Sequence, residues 1–111
     1  MGDDGHIHVD IRVPGSNAAV RNLLAGTFGL AADLPSTVTT GCRQRVPFAM
    51  TSPRPDRVTC LPCREYAQRQ HLRFAERLEH LAALPGSPVT PAQAARAAAR
   101  HREIASRFGR P

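Results

Sequence analysis

Val58-Thr59-Cys60-Leu61-Pro62-Cys63-Arg64 is the stretch whose reading decides the fold, taken together with Thr40-Gly41-Cys42 about one hairpin upstream. Cys42, Cys60 and Cys63 are the only cysteines in the 111 residues. A Cys-x-x-Cys pair with a third thiol nearby reads most simply as a metal site short of one ligand. The turn brings two sulfurs to within about 3.5–4 Å, the edge of a tetrahedron built on Zn–S bonds of about 2.3 Å. Pro62 suits the first turn of a helix, where its missing donor costs nothing. A helix opening at Cys63 also favours the thiolate through its dipole and free amides. Thiolate-rich tetrahedral sites point to zinc or iron–sulfur, and zinc is the expected cofactor.

Downstream of this motif the pattern turns helical. Ala67, His71, Phe74, Leu78 and Leu81 fall on one stripe flanked by Ala75 and Ala82, which predicts a long helix from about Pro62 to Leu84. Residues 85–90 read as a linker. Thr90-Pro91-Ala92-Gln93 then opens a second helix over 91–108, with Thr as cap, Pro in the first turn and Gln completing a capping box. It is rich in Ala and Arg, with a poor apolar face until Ile104 and Phe108, and is expected to be a separable basic appendage.

Upstream, His6 to Val13 alternates polar and apolar. That predicts a half-buried strand with Ile7, Val9, Ile11 and Val13 on one face and His6, His8, Asp10 and Arg12 on the other. Ser16 or Asn17 can cap a short helix to about Ala25, and Thr27 to Pro35 reads as a covering loop. Thr37 to Thr40 is β-prone, Gly41-Cys42 turns into Arg43 to Val46, and Phe48 to Thr51 is expected to pair back before the Pro-rich Ser52 to Pro55. The expected fold is a small α+β domain over 1–84, with a short antiparallel sheet or hairpin and one long helix after the Cys-x-x-Cys, followed by the linker and the C-terminal helix.

Composition calls for a staple. Aromatics are 5% of the chain, Trp is absent, and Pro (10) and Gly (8) are plentiful, so the apolar core is thin. A structural zinc ion contributes on the order of 10 kcal/mol to folding in small domains, comparable to the whole stability of such a chain. An odd cysteine count argues against a disulfide framework. Residues Met1 to Asp10 lack the basic and apolar regions of a signal peptide, and no stretch has the roughly 18 apolar residues of a membrane span, so a cytoplasmic protein is expected.

The fourth ligand has four candidates: His6, His8, Asp56 and His71. On a helix starting near Pro62, His71 lies roughly 12 Å along the axis from Cys63, too far to share one ion, and it reads as a core or boundary histidine. Asp56 has the spacing at which some zinc proteins place a His, but a carboxylate is a less usual partner in a thiolate-rich structural site. A strand ahead of the hairpin can instead deliver an imidazole, and His8, deeper in it than His6, is favoured.

Three pieces carry a family resemblance: Ile7-His8-Val9, Thr40-Gly41-Cys42, and Pro55-Asp56-Arg57-Val58-Thr59-Cys60-Leu61-Pro62-Cys63-Arg64. In this order they resemble short, mostly uncharacterised actinobacterial zinc-finger proteins. The resemblance implies zinc held by His8, Cys42, Cys60 and Cys63, and it brings no established activity. Arg43 stands where that pattern favours Gly.

The net charge is +6, and all fifteen basic residues are Arg. Such an excess attracts polyanions or acidic protein surfaces. Arg64, Arg69, Arg73 and Arg77 recur along one broad side of the long helix, with Glu65, Glu76 and Glu79 interrupting it. The expectation is a non-enzymatic zinc module in regulation, contacting nucleic acid or the transcription machinery through these arginines. The alternatives are an adaptor or homodimer pairing through Phe74, Leu78 and Leu81, and a thiol redox sensor at Cys60 and Cys63. No phosphate loop, nucleophile elbow or His-Glu-x-x-His motif is present to suggest an enzyme. A catalytic metal would need Cys42, Cys60 and Cys63 with an open position and Asp56 as base.

Overall fold

The long helix determines where everything else sits. In the structure, a computed structural model that describes residues 5–14 and 37–110, helix α1 spans Leu61–Ala82 with Cys60 as its N-cap residue and Pro62 in its first turn. Helix α2 spans Pro91–Phe108 and carries the full capping box: Gln93 N–H donates to the Thr90 hydroxyl, and Thr90 N–H donates to the Gln93 side chain. Ahead of the helices stands a two-stranded antiparallel sheet, β1 (Thr37–Thr39) and β2 (Arg45–Pro47), with Val38 opposite Val46. The expected short helix from Ser16 or Asn17 to Ala25, and the loop to Pro35, lie outside the described residues.

The C-terminal helix is a separate element, as expected, but it is packed rather than loose. It folds back antiparallel on α1: His71 meets His101, Glu79 meets Arg102, and Arg64 meets the last turn of α2. The buried side chains are mostly small, Ala67 and Ala75 on α1 and Ala94, Ala98 and Ala105 on α2, with Phe108 buried at the end. A row of alanines is an apolar face whose small side chains let two helices close together, and its low hydrophobicity hides it from a periodicity reading. The stripe on α1 is used within the chain too: Phe74 meets His101 edge-on at 4.6 Å. Leu81, by contrast, remains exposed.

The N-terminal segment departs from the expected eight-residue strand. It makes isolated bridges at His8, parallel to Thr51, and at Asp10, antiparallel to Thr40, and then turns over Ile11 to Pro14. Half of the expected polar face is enclosed: His8 and Asp10 are buried beside Val9 and Val13, while His6 and Arg12 are exposed. Asp10 is satisfied by Arg12, which donates from its backbone N–H at 2.9 Å and its guanidinium at 2.6 and 3.0 Å. Phe48–Met50 forms a 3₁₀ turn rather than a third hairpin strand, and Thr51 behind it pairs with the N-terminal segment.

Residues 7–11 are thus threaded between three other pieces of chain. Gly41 N–H donates to Val9 O and Ile11 N–H to Thr39 O on the hairpin side. On the other side His8 N–H donates to Met50 O and Ser52 N–H to His8 O. Thr59 N–H and Cys60 N–H both donate to Ile7 O. The core around this thread consists of Val9, Val13, Val58, Cys60, Cys63, Ala67 and Phe108.

Candidate metal centre

Four short segments each deliver one donor to a single point. His8 comes from the threaded segment, Cys42 from the turn between β1 and β2, Cys60 from the cap of α1 and Cys63 from its first turn. Their ligating atoms all lie within 4.8 Å of one another, and the group could hold a metal ion. His8 Nδ1 is 3.5 Å from both Cys42 Sγ and Cys63 Sγ. All three cysteines are free thiols, with Cys60, Cys63 and His8 buried and Cys42 partly exposed.

Backbone geometry explains why the sulfurs converge. The double acceptance at Ile7 O pins the chain just ahead of the helix, and Gly41 N–H pins the hairpin turn to the same thread. Gly41 has no side chain for a reason: a Cβ there would stand 2.5 Å from the Tyr66 ring. The Tyr66 hydroxyl donates to Ile11 O at 2.7 Å, so one α1 side chain grips both turn and thread.

Burial and mutual repulsion disfavour ionising Cys60 and Cys63. Burial pushes the Cys60 thiol up to about 12, with the charges of Cys63 and Cys42 adding to the rise. Burial is also the main cause of the upward shift at Cys63, against opposing backbone hydrogen bonds from Val9 and Cys42. At Cys42 burial acts upward as well, but hydrogen bonds from Thr40, Cys63, His8 and Cys60 outweigh it and the net shift is downward. A bound cation reverses the effect of crowding, because each thiolate then gains an attractive partner.

The other ligand candidates lie elsewhere. Asp56 is exposed and paired with Arg54 at 3.0 Å. His6 Nδ1 lies 3.1 Å from the Thr59 hydroxyl at the rim of a shallow opening over Cys42 and Cys60. His71 is buried between the helices, in the core role expected of it.

Of the four arginines proposed as a contact face, Arg69, Arg73 and Arg77 are exposed. Arg64 has a different task. Its guanidinium donates to five backbone carbonyls: Pro55 and Val58 at 2.6 and 2.7 Å, Phe108 at 3.1 Å, and Arg107 and Arg110 at 2.8 Å each. It is an internal clamp that caps the C-terminus of α2 and ties it to the loop before Cys60. Helical periodicity alone cannot distinguish such a residue from a solvated one; its position directly after the second cysteine was the available signal.

Comparison with known proteins gives no matching family model, no matching curated protein and no matching solved structure. No helix among the described residues is long and apolar enough to cross a membrane.

Proposed function

We propose that the protein is a non-enzymatic, zinc-structured regulatory module that binds nucleic acid through an arginine face of its helical hairpin. The convergence of His8, Cys42, Cys60 and Cys63 carries the zinc part of this reading. A tetrahedral zinc with Zn–S of about 2.3 Å and Zn–N of about 2.05 Å separates S from N by about 3.5 Å. The distances from His8 Nδ1 to Cys42 and Cys63 are both 3.5 Å. Four protein donors complete the shell of a structural site and leave no open position for substrate.

The arginines support the second part. At about 100° per residue, Arg69, Arg73 and Arg77 stand roughly 200–280° round α1 from the buried Ala67. Arg96, Arg100 and Arg107 stand roughly 200–240° round α2 from the buried Ala94. Because the helices run antiparallel, these rotations carry both sets towards the same side of the hairpin. All six are exposed. Glu65, Glu76 and Glu103 fall behind them, at roughly 160–180°. Two parallel rows of guanidinium groups suit phosphate contact without base-specific reading.

Mass spectrometry under native conditions is expected to give one zinc per chain, reduced in His8→Ala. Fluorescence anisotropy with duplex DNA is expected to show binding that weakens steeply with salt. Replacing Arg69, Arg73 and Arg77 by Ala should lower the salt slope by about 2–3. No binding at low salt, or undiminished binding by the triple variant, refutes the nucleic-acid reading.

A further inference from the structure

We infer that His71 and His101 form an acid-released latch that holds the C-terminal helix against the long helix, and with it the apolar cover of the metal centre. The observation is a contact of 2.8 Å between His71 Nδ1 and His101 Nδ1. Two ring nitrogens at that distance require one proton between them, with one imidazole donating and the other accepting. A second proton on the same edge sets two N–H groups head-on, and the rings must part.

The surroundings leave the pair little freedom. The two rings stack at 5.1 Å, His71 stacks on Phe108 at 5.9 Å, and Phe74 meets His101 edge-on at 4.6 Å. The other nitrogen of His71, Nε2, is buried and has no hydrogen-bond partner among the described residues. The charged groups around the pair are mostly cationic. On α1, Arg77 lies over the Phe74 ring; Arg64 lies over the Phe108 ring; on α2, Arg100 is next to His101. The Glu79 carboxylate is held by Arg102 across the hairpin. Burial, and then the charge of His101, lowers the His71 pKa to about 4. Burial and then Arg100 lower that of His101.

A histidine whose folded pKa is depressed stabilises the closed form fully above its unfolded value of about 6.5. That contribution is lost as pH falls from 6.5 towards 4, because the open form takes up the proton first. The consequence reaches the metal centre through Phe108, which packs in one cluster with Cys60, Cys63, Val9 and Val58. Opening the hairpin withdraws Phe108 and uncovers that side of the site.

The test is amide hydrogen exchange on the full zinc-loaded chain at pH 7.5 and pH 5, corrected for intrinsic exchange, with zinc retention measured in the same samples. In the wild type, α2 opening is expected to rise by more than about tenfold at pH 5 while zinc is retained. In the double variant His71→Gln/His101→Gln, which leaves no titrating group at the contact, the rise should stay below about twofold. Equal pH dependence in both proteins overturns the proposal. If the double variant does not fold, NMR titration of the wild-type imidazoles decides it. One protonated and one bare Nδ1 at neutral pH, with His71 titrating well below 6.5, supports the latch; an ordinary titration of both rings overturns it.

Discussion

The metal-centre half and the helical hairpin hold themselves together in opposite ways. Before Cys60 the described chain has two strands of three residues, a 3₁₀ turn and isolated bridges, with the threaded segment joined to each neighbouring piece by a pair of backbone hydrogen bonds. After Cys60 two helices, Leu61–Ala82 and Pro91–Phe108, bury a distributed row of alanines, His71 and Phe108. Stability in the first half is concentrated at one point, where four segments meet; in the second it is spread over many small contacts. A point staple fails all at once and a distributed face fails gradually.

Metal removal should expose this difference most strongly. Chelation, or Cys63→Ser, is expected to cost on the order of 10 kcal/mol of apparent folding free energy. Exchange protection at Gly41, Thr59 and Cys60 should vanish while helical circular dichroism falls only in part. Equal loss of helix and of those amides would show that the two halves are one cooperative unit.

Arg64 is where the comparison breaks down, because it belongs to both halves. Two of its acceptors, Pro55 O and Val58 O, lie before the helix and three at the end of α2. Arg64→Ala leaves those carbonyls without their charged donor and is expected to cost about 2–4 kcal/mol in urea denaturation. Arg64→Lys keeps the charge but has no planar fork to span both sides, so it should recover less than half of that loss. Full rescue by Lys would mean that charge alone, and not the fan of bonds, joins the halves.

How much of this was legible in the sequence follows the same division. The Cys-x-x-Cys with its helix-opening Pro62, the capping box at Thr90 and the buried placement of His71 all rest on local rules, and all appear in the structure. The thread at residues 7–11 was misread as a regular strand because alternation reports burial of one face. Here the chain is enclosed by hairpin, 3₁₀ turn and helix cap together, so His8 and Asp10 are buried as well. Whether α2 packs was not legible because alanine scores weakly in any apolar pattern, and only the partner helix shows that the face is used. Arg64 was misplaced because its acceptors come from loop and helix-end carbonyls up to 46 residues away.

The smallest expected effect concerns the turn that presents Cys42. Arg43 has φ of 72°, in the left-handed region, and its N–H donates to Thr40 O at 2.9 Å. A side chain there costs about 1–2 kcal/mol relative to glycine. Arg43→Gly relieves that strain but gives the unfolded chain more freedom, worth about 0.4–1 kcal/mol in the opposite sense. The net expectation is a gain of up to about 1.6 kcal/mol, read as a raised urea midpoint in the metal-loaded protein. Arg43→Ala separates backbone from charge: it removes the same guanidinium and keeps the strain, so it should show no such gain. If Ala raises the midpoint as much as Gly, relief of positive charge on the surface is the cause. A gain confined to Gly instead places the strain in the turn that carries Cys42, within the metal-held half.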